Sequence, residues 1–189
     1  MRCDVPGVCR GNKMILGVLS DTHGNSKLQE KARKLAVERF GAAVLIHLGD
    51  NYSDAEELML GGVPVWAVPG LWCAAYNNPS IPRSRLEAAG SLLIHFAHAE
   101  QDLEAESVEK AHIILTGHTH RYRLDWLDGK IWMNPGHLKK EKDKSAVPTF
   151  GLISIGTDTV ECGILNLAGE TILAHVINRK FLSGGSTGA

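Results

Sequence analysis

Asp21 and His23 stand two residues apart in Ser20-Asp21-Thr22-His23-Gly24-Asn25, directly after the apolar run 14–19. Asp-x-His offers one hard oxygen ligand and one borderline nitrogen ligand, a pairing that suits manganese, iron, zinc or nickel better than calcium or magnesium. The pair is weak evidence by itself, because an aspartate capping a helix beside a histidine in a turn has the same spelling. The rest of the chain answers it. Run 43–48 ends in Gly49-Asp50, run 63–68 in Pro69-Gly70, run 92–97 in His98, and run 113–116 in Gly117-His118-Thr119-His120. Two aspartates and four histidines placed after four of five such runs are hard to explain as caps and turns. Convergent ligands for more than one metal ion are the economical account.

Residues so far apart in sequence converge only if the elements carrying them end on one side. Each apolar run has the length of a buried strand. Strand-like and helix-like segments alternate: strand 14–20, helix 26–39, strand 43–48, helix 53–60, strand 64–68, helix 82–89, strand 91–97, helix 100–110 and strand 112–116. This alternation predicts a parallel sheet with covering helices, and ligands gather at the carboxyl ends of such strands. After His120 the pattern changes. Asp128-Gly129 between two aromatic-rich runs signals a hairpin, and 150–155, 159–165 and 171–177 continue as short strands. These antiparallel strands are expected to build a second sheet packed on the first, giving an α/β sandwich.

A chain of 189 residues is long enough for one domain with a sizeable core. We expect that domain over 14–180, with 1–13 and 184–189 as flexible extensions. The formal net charge of −1 argues against a general nucleic-acid or membrane-surface binder. No apolar run is long enough to span a bilayer, and no signal-peptide layout opens the chain, so a cytoplasmic location is expected. The four cysteines form no C-x-x-C pair. Reduced thiols, and no structural zinc built from them, follow.

Asp21-Thr22-His23, Gly49-Asp50, Pro69-Gly70, His98 and Gly117-His118-Thr119-His120, in this order, give the sequence its resemblance to the calcineurin-like metallophosphoesterases. It looks most like their small single-domain bacterial and archaeal phosphodiesterases. Gly49-Asp50-Asn51-Tyr52-Ser53-Asp54 and Asn134-Pro135-Gly136 add to the likeness. The resemblance implies a four-layer α/β/β/α sandwich with two mixed β-sheets. It implies a hydrolase that cleaves a small organic phosphate ester, most readily a diester, by attack of a metal-bound hydroxide. Two divalent ions, manganese first with iron, zinc or nickel as alternatives, would be the cofactors. Asp21, His23, Asp50 and His120 would surround one ion, and Asp50, His98 and His118 the other, with Asp50, His98 and His118 as catalytic residues. A carboxylate can bridge two ions about 3.5–4 Å apart, whereas an imidazole nitrogen serves one.

The third motif departs from the family. An asparagine normally follows its Pro-Gly, and here Leu71-Trp72-Cys73 stands there. Leu71 has no donor atom, so the second site should be weak or empty unless Cys73, Asn77 or Asn78 substitutes. Cys73 also reads as a plain buried thiol, and Trp72 as an aromatic closing the loop or as a stacking platform. His95 and His98 both end the fourth strand. The family has a small residue after this ligand, and Ala99 fits where Phe96 does not, so the resemblance implies His98 as the ligand, with His95 hydrogen-bonded inside the strand. His47 and His112 read as structural histidines, His137 as a residue near the rim, and 139–144 as a solvated loop whose acids interrupt a lysine run. Against the enzyme stands a second reading, in which a phosphoesterase core has become a binding scaffold, as in the retromer subunit of this fold, or holds one regulatory ion. The sequence leaves the oligomeric state open.

Overall fold

A computed structural model describes residues 13–184. The extensions expected at the two ends lie, apart from Lys13 and Gly184, outside the described residues.

Two sheets form the middle of the molecule. The first has six strands in the order β11 (Thr171–Asn178), β10 (Thr159–Asn166), β9 (Thr149–Ile155), β1 (Met14–Leu19), β2 (Val44–His47), β3 (Val65–Ala67). The second has five: β4 (Ser84–Ala89), β5 (Leu92–Ala97), β6 (Ile113–Leu115), β8 (Lys130–Asn134), β7 (Arg123–Leu127). Both are mixed. β1 runs parallel to β2 and antiparallel to β9, and β6 runs parallel to both β5 and β8.

Alternation along each strand sorts its side chains between two cores. Leu16, Val18, Val44 and Ile46 of the first sheet face Ile94, Phe96, Ile113, Leu115, Ile131 and Met133 of the second. Leu19, Leu45, Phe150 and Leu165 point outward and meet Leu28 and Ala32 of α1 (Ser26–Lys34) and Leu58 of α2 (Tyr52–Met59). α3 (Ala105–Lys110) covers the second sheet beside β5. The layers are therefore α/β/β/α.

Four expectations need correction. Residues 82–89 do not form a helix; Ser84–Ala89 is an edge strand joined to β5 through Gly90, whose φ of +63° makes the tight turn. Six residues after Pro82 are too few to sustain an isolated helix, and Arg85 and Glu87, two apart on one face, pair at 2.5 Å. The helix expected over 100–110 is broken, with a single turn at Glu100–Asp102 and α3 separated by extended Leu103 and Glu104. The sheets also divide differently from the expectation. β5 and β6 leave the first sheet for the second, and β9–β11 join the first through β1. The helix expected over 26–39 ends its regular part at Lys34 and continues as a wider turn closed by Phe40 N–H on the Leu35 carbonyl at 3.0 Å.

Candidate metal centre

β1 and β2 of one sheet and β5 and β6 of the other all point their carboxyl ends at the same end of the sandwich, so the loops after them meet across the seam between the sheets. Asp21 follows β1, Asp50 follows β2, His98 follows β5, and His118 and His120 follow β6. The loops carrying the six expected residues meet at this end, and they leave two sheets rather than one edge.

The loops bend sharply to do this. Asp21, His23, Asp50, His118 and His120 all have positive φ, between +48° and +73°. Non-glycine residues rarely adopt this conformation, and clusters of such strain mark functional sites. Two glycines let the loops close. A Cβ on Gly117 would overlap Ser20 and Asp21, and one on Gly70 would overlap the backbone of Asp50.

The inner shell is tight. Ligand atoms of Asp21, His23, Asp50 and His120 all lie within 4.8 Å of one another. His23 Nε2 is 2.7 Å from Asp50 Oδ2 and 3.0 Å from His120 Nε2, and His120 Nε2 is 3.2 Å from Asp21 Oδ1. Asp21 is fixed from its other side, where Oδ2 accepts from Ser20 Oγ at 2.6 Å and from His118 N–H at 2.9 Å. His98 approaches Asp50 Oδ1, with Nε2 at 3.7 Å, and stacks edge-on with His118 at a centroid separation of 5.2 Å. Asp50 thus turns one oxygen to the tight cluster and the other to His98. His98 and His118 stand outside that tight cluster.

The donor set fits a cation. Asp21 Oδ1, Asp50 Oδ2 and His98 Nε2 are buried and make no hydrogen bond, a costly condition unless something positive sits among them. Burial first, and the charge of Asp21 second, push the Asp50 carboxyl up to about 7. Burial likewise pushes His23 down to about 4, helped by Lys139 and His120. An Asp50 carboxyl that resists ionising beside Asp21, next to a His23 imidazole that resists protonation, is what a divalent ion relieves. His98 Nδ1–H donates to the Leu48 carbonyl at 2.7 Å, which leaves Nε2 bare and facing inward.

His95 sits elsewhere. Its Nδ1–H donates to the Arg85 carbonyl at 2.9 Å and its Nε2 accepts from Glu104 N–H at 3.2 Å, so both nitrogens are occupied on the helix side of the sheet. Trp72 is 91% exposed and Leu71 half-buried, while Cys73 and Asn78 line a groove against the start of α2 with Tyr52 and Glu56. Cys73 is no member of the tight cluster and is not the buried thiol expected; among the described residues the buried one is Cys162.

Some supporting residues carry more than their sequence suggested. His47 Nδ1 accepts from Gly49 N–H at 3.3 Å, so its Nε2–H faces the Thr22 hydroxyl at 3.3 Å; that hydroxyl in turn donates to Asp54 Oδ2. Asp54 also accepts Gly24 N–H at 2.9 Å. The loop holding Asp21 and His23 is thus locked to the loop holding Asp50. The run 139–144 is not uniformly solvated: Asp143 is buried and its Oδ2 lies 2.5 Å from His120 Nδ1.

A family model, the calcineurin-like phosphoesterase superfamily domain, matches residues 14–158. The chain belongs to this superfamily. It is 29% identical over 136 residues to a protein of Methanothermobacter thermautotrophicus described as a probable metallophosphoesterase, covering 65% of this chain and 76% of that one. Among solved structures it is similar to a predicted phosphoesterase from Streptococcus pneumoniae TIGR4 (TM-score 0.67, 20% identity, 89% and 99% of the two chains). It is equally similar to Vacuolar Protein Sorting 29 from Cryptosporidium parvum (TM-score 0.68, 19% identity, 88% and 98%). At those identities the likeness of the structures concerns the fold. Among the described residues no helix is long and apolar enough to cross a membrane. This member of the calcineurin-like phosphoesterase superfamily therefore carries a His/Asp cluster suited to a divalent metal at the end of the sandwich where its loops converge.

Proposed function

We propose that the protein is a metal-dependent phosphoesterase, best suited to phosphodiesters of small organic molecules. The observation that carries this is the group of four residues whose ligand atoms lie within 4.8 Å of one another, with buried Asp21 Oδ1 and Asp50 Oδ2 left without hydrogen bonds. Asp21, His23, Asp50 and His120 would hold one divalent ion, with manganese favoured and iron, zinc or nickel as alternatives. Asp50, His98 and His118 would hold a second, weaker one. When bound, such ions supply charge neutralisation for a phosphoryl group and a nucleophile at neutral pH. The chain's own residues do the rest. Asp50 offers an oxygen to each half of the centre, the Thr22–Asp54–His47 network fixes the loops, and His98 and His118 keep bare nitrogens turned into the cleft or its mouth. A near-neutral net charge of −1 favours a small phosphate ester over nucleic acid as the partner.

A second reading, a catalytically weakened core used as a binding scaffold or a one-metal regulatory protein, is favoured by Leu71 in the third motif and by the exposed Trp72. Elemental analysis of the purified protein, paired with hydrolysis of an aryl phosphodiester with and without manganese, separates the two. Hydrolysis stimulated by manganese supports the enzyme. Metal content without turnover of mono- or diesters supports the scaffold.

A further inference from the structure

The loop between β8 and β9 sends a carboxylate to the cluster that none of the ligand positions uses. We propose that Asp143 is a positioning residue of the metal centre, holding His120 in the one tautomer and orientation that turns a bare Nε2 toward Asp21 and His23. The inference rests on the metal-binding reading above. Asp143 is buried, and its Oδ2 accepts His120 Nδ1–H at 2.5 Å while Lys140 Nζ stands 3.1 Å from Oδ1. With Nδ1 committed as a donor, the neutral ring keeps its lone pair on Nε2, the atom that faces the cluster. A carboxylate behind a ligating imidazole also makes that imidazole a better base, and so a better ligand. His98, by contrast, has only a backbone carbonyl behind it.

The backbone around Asp143 is shaped for this contact. Asp143 and Ala146 exchange both backbone hydrogen bonds, at 2.9 and 2.7 Å, around Lys144 (φ +45°) and Ser145 (φ +68°). That is a tight turn with two left-handed central residues, a place normally filled by Asn-Gly. The sequence holds it without a glycine. Three contacts pin the turn: His137 Nε2–H to the Ala146 carbonyl at 3.2 Å, Lys144 Nζ to the Thr119 carbonyl at 3.3 Å, and Asn25 Nδ2 to the Lys139 carbonyl at 2.9 Å. Leu138 N–H further ties the loop's start to the carbonyl of Asp21 at 3.1 Å. The loop is therefore anchored to Asp21 and Asn25 of one candidate-ligand loop and to Thr119, the neighbour of the His120 it orients.

The test uses the full chain stripped of metal by chelation. Imidazole nitrogen-15 NMR reads the His120 tautomer, and calorimetric titration with manganese reads affinity. We expect wild-type His120 with its proton on Nδ1, and Asp143→Ala with mixed tautomers and manganese affinity lower by about 10–100-fold. Asp143→Asn keeps an acceptor in the same place without its charge, so it should retain the tautomer and lose only several-fold in affinity. A wild-type tautomer and affinity in Asp143→Ala overturns the inference. If that variant does not fold, affinity of Asp143→Asn equal to wild type overturns it instead. Wild-type protein that binds no manganese ends the metal-binding reading and this inference together, a failure distinct from one seen only in the variants.

Discussion

Gly70 lies against Asp50 so closely that a single added methyl group at Gly70 would overlap the Asp50 nitrogen, α-carbon and carbonyl oxygen. The glycine is needed for close approach, since it brings the third-motif loop onto the residue that faces both halves of the centre. Gly70→Ala should therefore push Asp50 outward and destabilise the fold by about 1–3 kcal/mol, as overpacking of a close contact does. Manganese titration and a melting curve of the variant measure the two effects. Full metal binding with an unchanged melt would show that the contact is slack.

Leu71, next along that loop, has no atom that can coordinate. Leu71→Asn should strengthen the weaker of two manganese equivalents by about tenfold, because affinity follows the number of ligands a site offers. The tighter equivalent, which Leu71 does not serve, should be unchanged. Titration of both equivalents decides this; two equal, tight sites in the wild-type chain would mean that another donor already fills the place.

Asp50→Asn keeps shape and removes charge. If Asp50 faces two ions, both should weaken, and aryl phosphodiester hydrolysis at saturating manganese should fall by about 100–1000-fold, the scale of one lost preorganised electrostatic contact. His98→Ala should cost less, since it touches one site. A turn residue beside Gly49 would tolerate asparagine well, so full activity with an unchanged melt would falsify the bridging role.

The pH dependence has a definite sign. Asp50 in the metal-free fold titrates near 7, above the ordinary carboxylate value near 3.8, so below 7 an incoming ion must displace its proton. Apparent manganese affinity should fall by up to about tenfold for each pH unit below 7 and level off above it. The metal-free chain should show the mirror image: the stability contributed by Asp50 is fully present below about pH 4 and is lost as pH rises through 7. His23, held down to about 4, opposes this, since its contribution is present above 6.5 and lost as pH falls through 4. Calorimetry in buffers of different ionisation heat should find a proton released on manganese binding at pH 6 in wild type and fewer in Asp50→Asn.

Much of this architecture could be read from residue order. Apolar runs ending in Asp, Gly or His located β1, β2, β5 and β6, and with them the loops that meet. The choice of His98 over His95 rested on Ala99, yet strand parity carries the same choice more directly: Leu92, Ile94 and Phe96 face the inter-sheet core, and His98 continues that face while His95 points to α3. What could not be read was tertiary. β4 has a helical composition and becomes a strand because β5 offers it an edge. Asp143 hid in a lysine-rich run, and the turn after it, held at positive φ by Lys144 and Ser145 without a glycine, left no mark in the sequence.

The loops of both sheets bring candidate ligands to the centre, Asp21, His23 and Asp50 from one and His98, His118 and His120 from the other. An ion gripped by both would act as a clasp on the sandwich. Peeling the sheets apart would then require breaking coordination bonds as well as parting the apolar interior. Amide hydrogens in β1, β2, β5 and β6 should accordingly exchange in concert and more slowly once manganese is present, while those of the outlying β10–β11 pair, remote from the clasp, should keep their own rate.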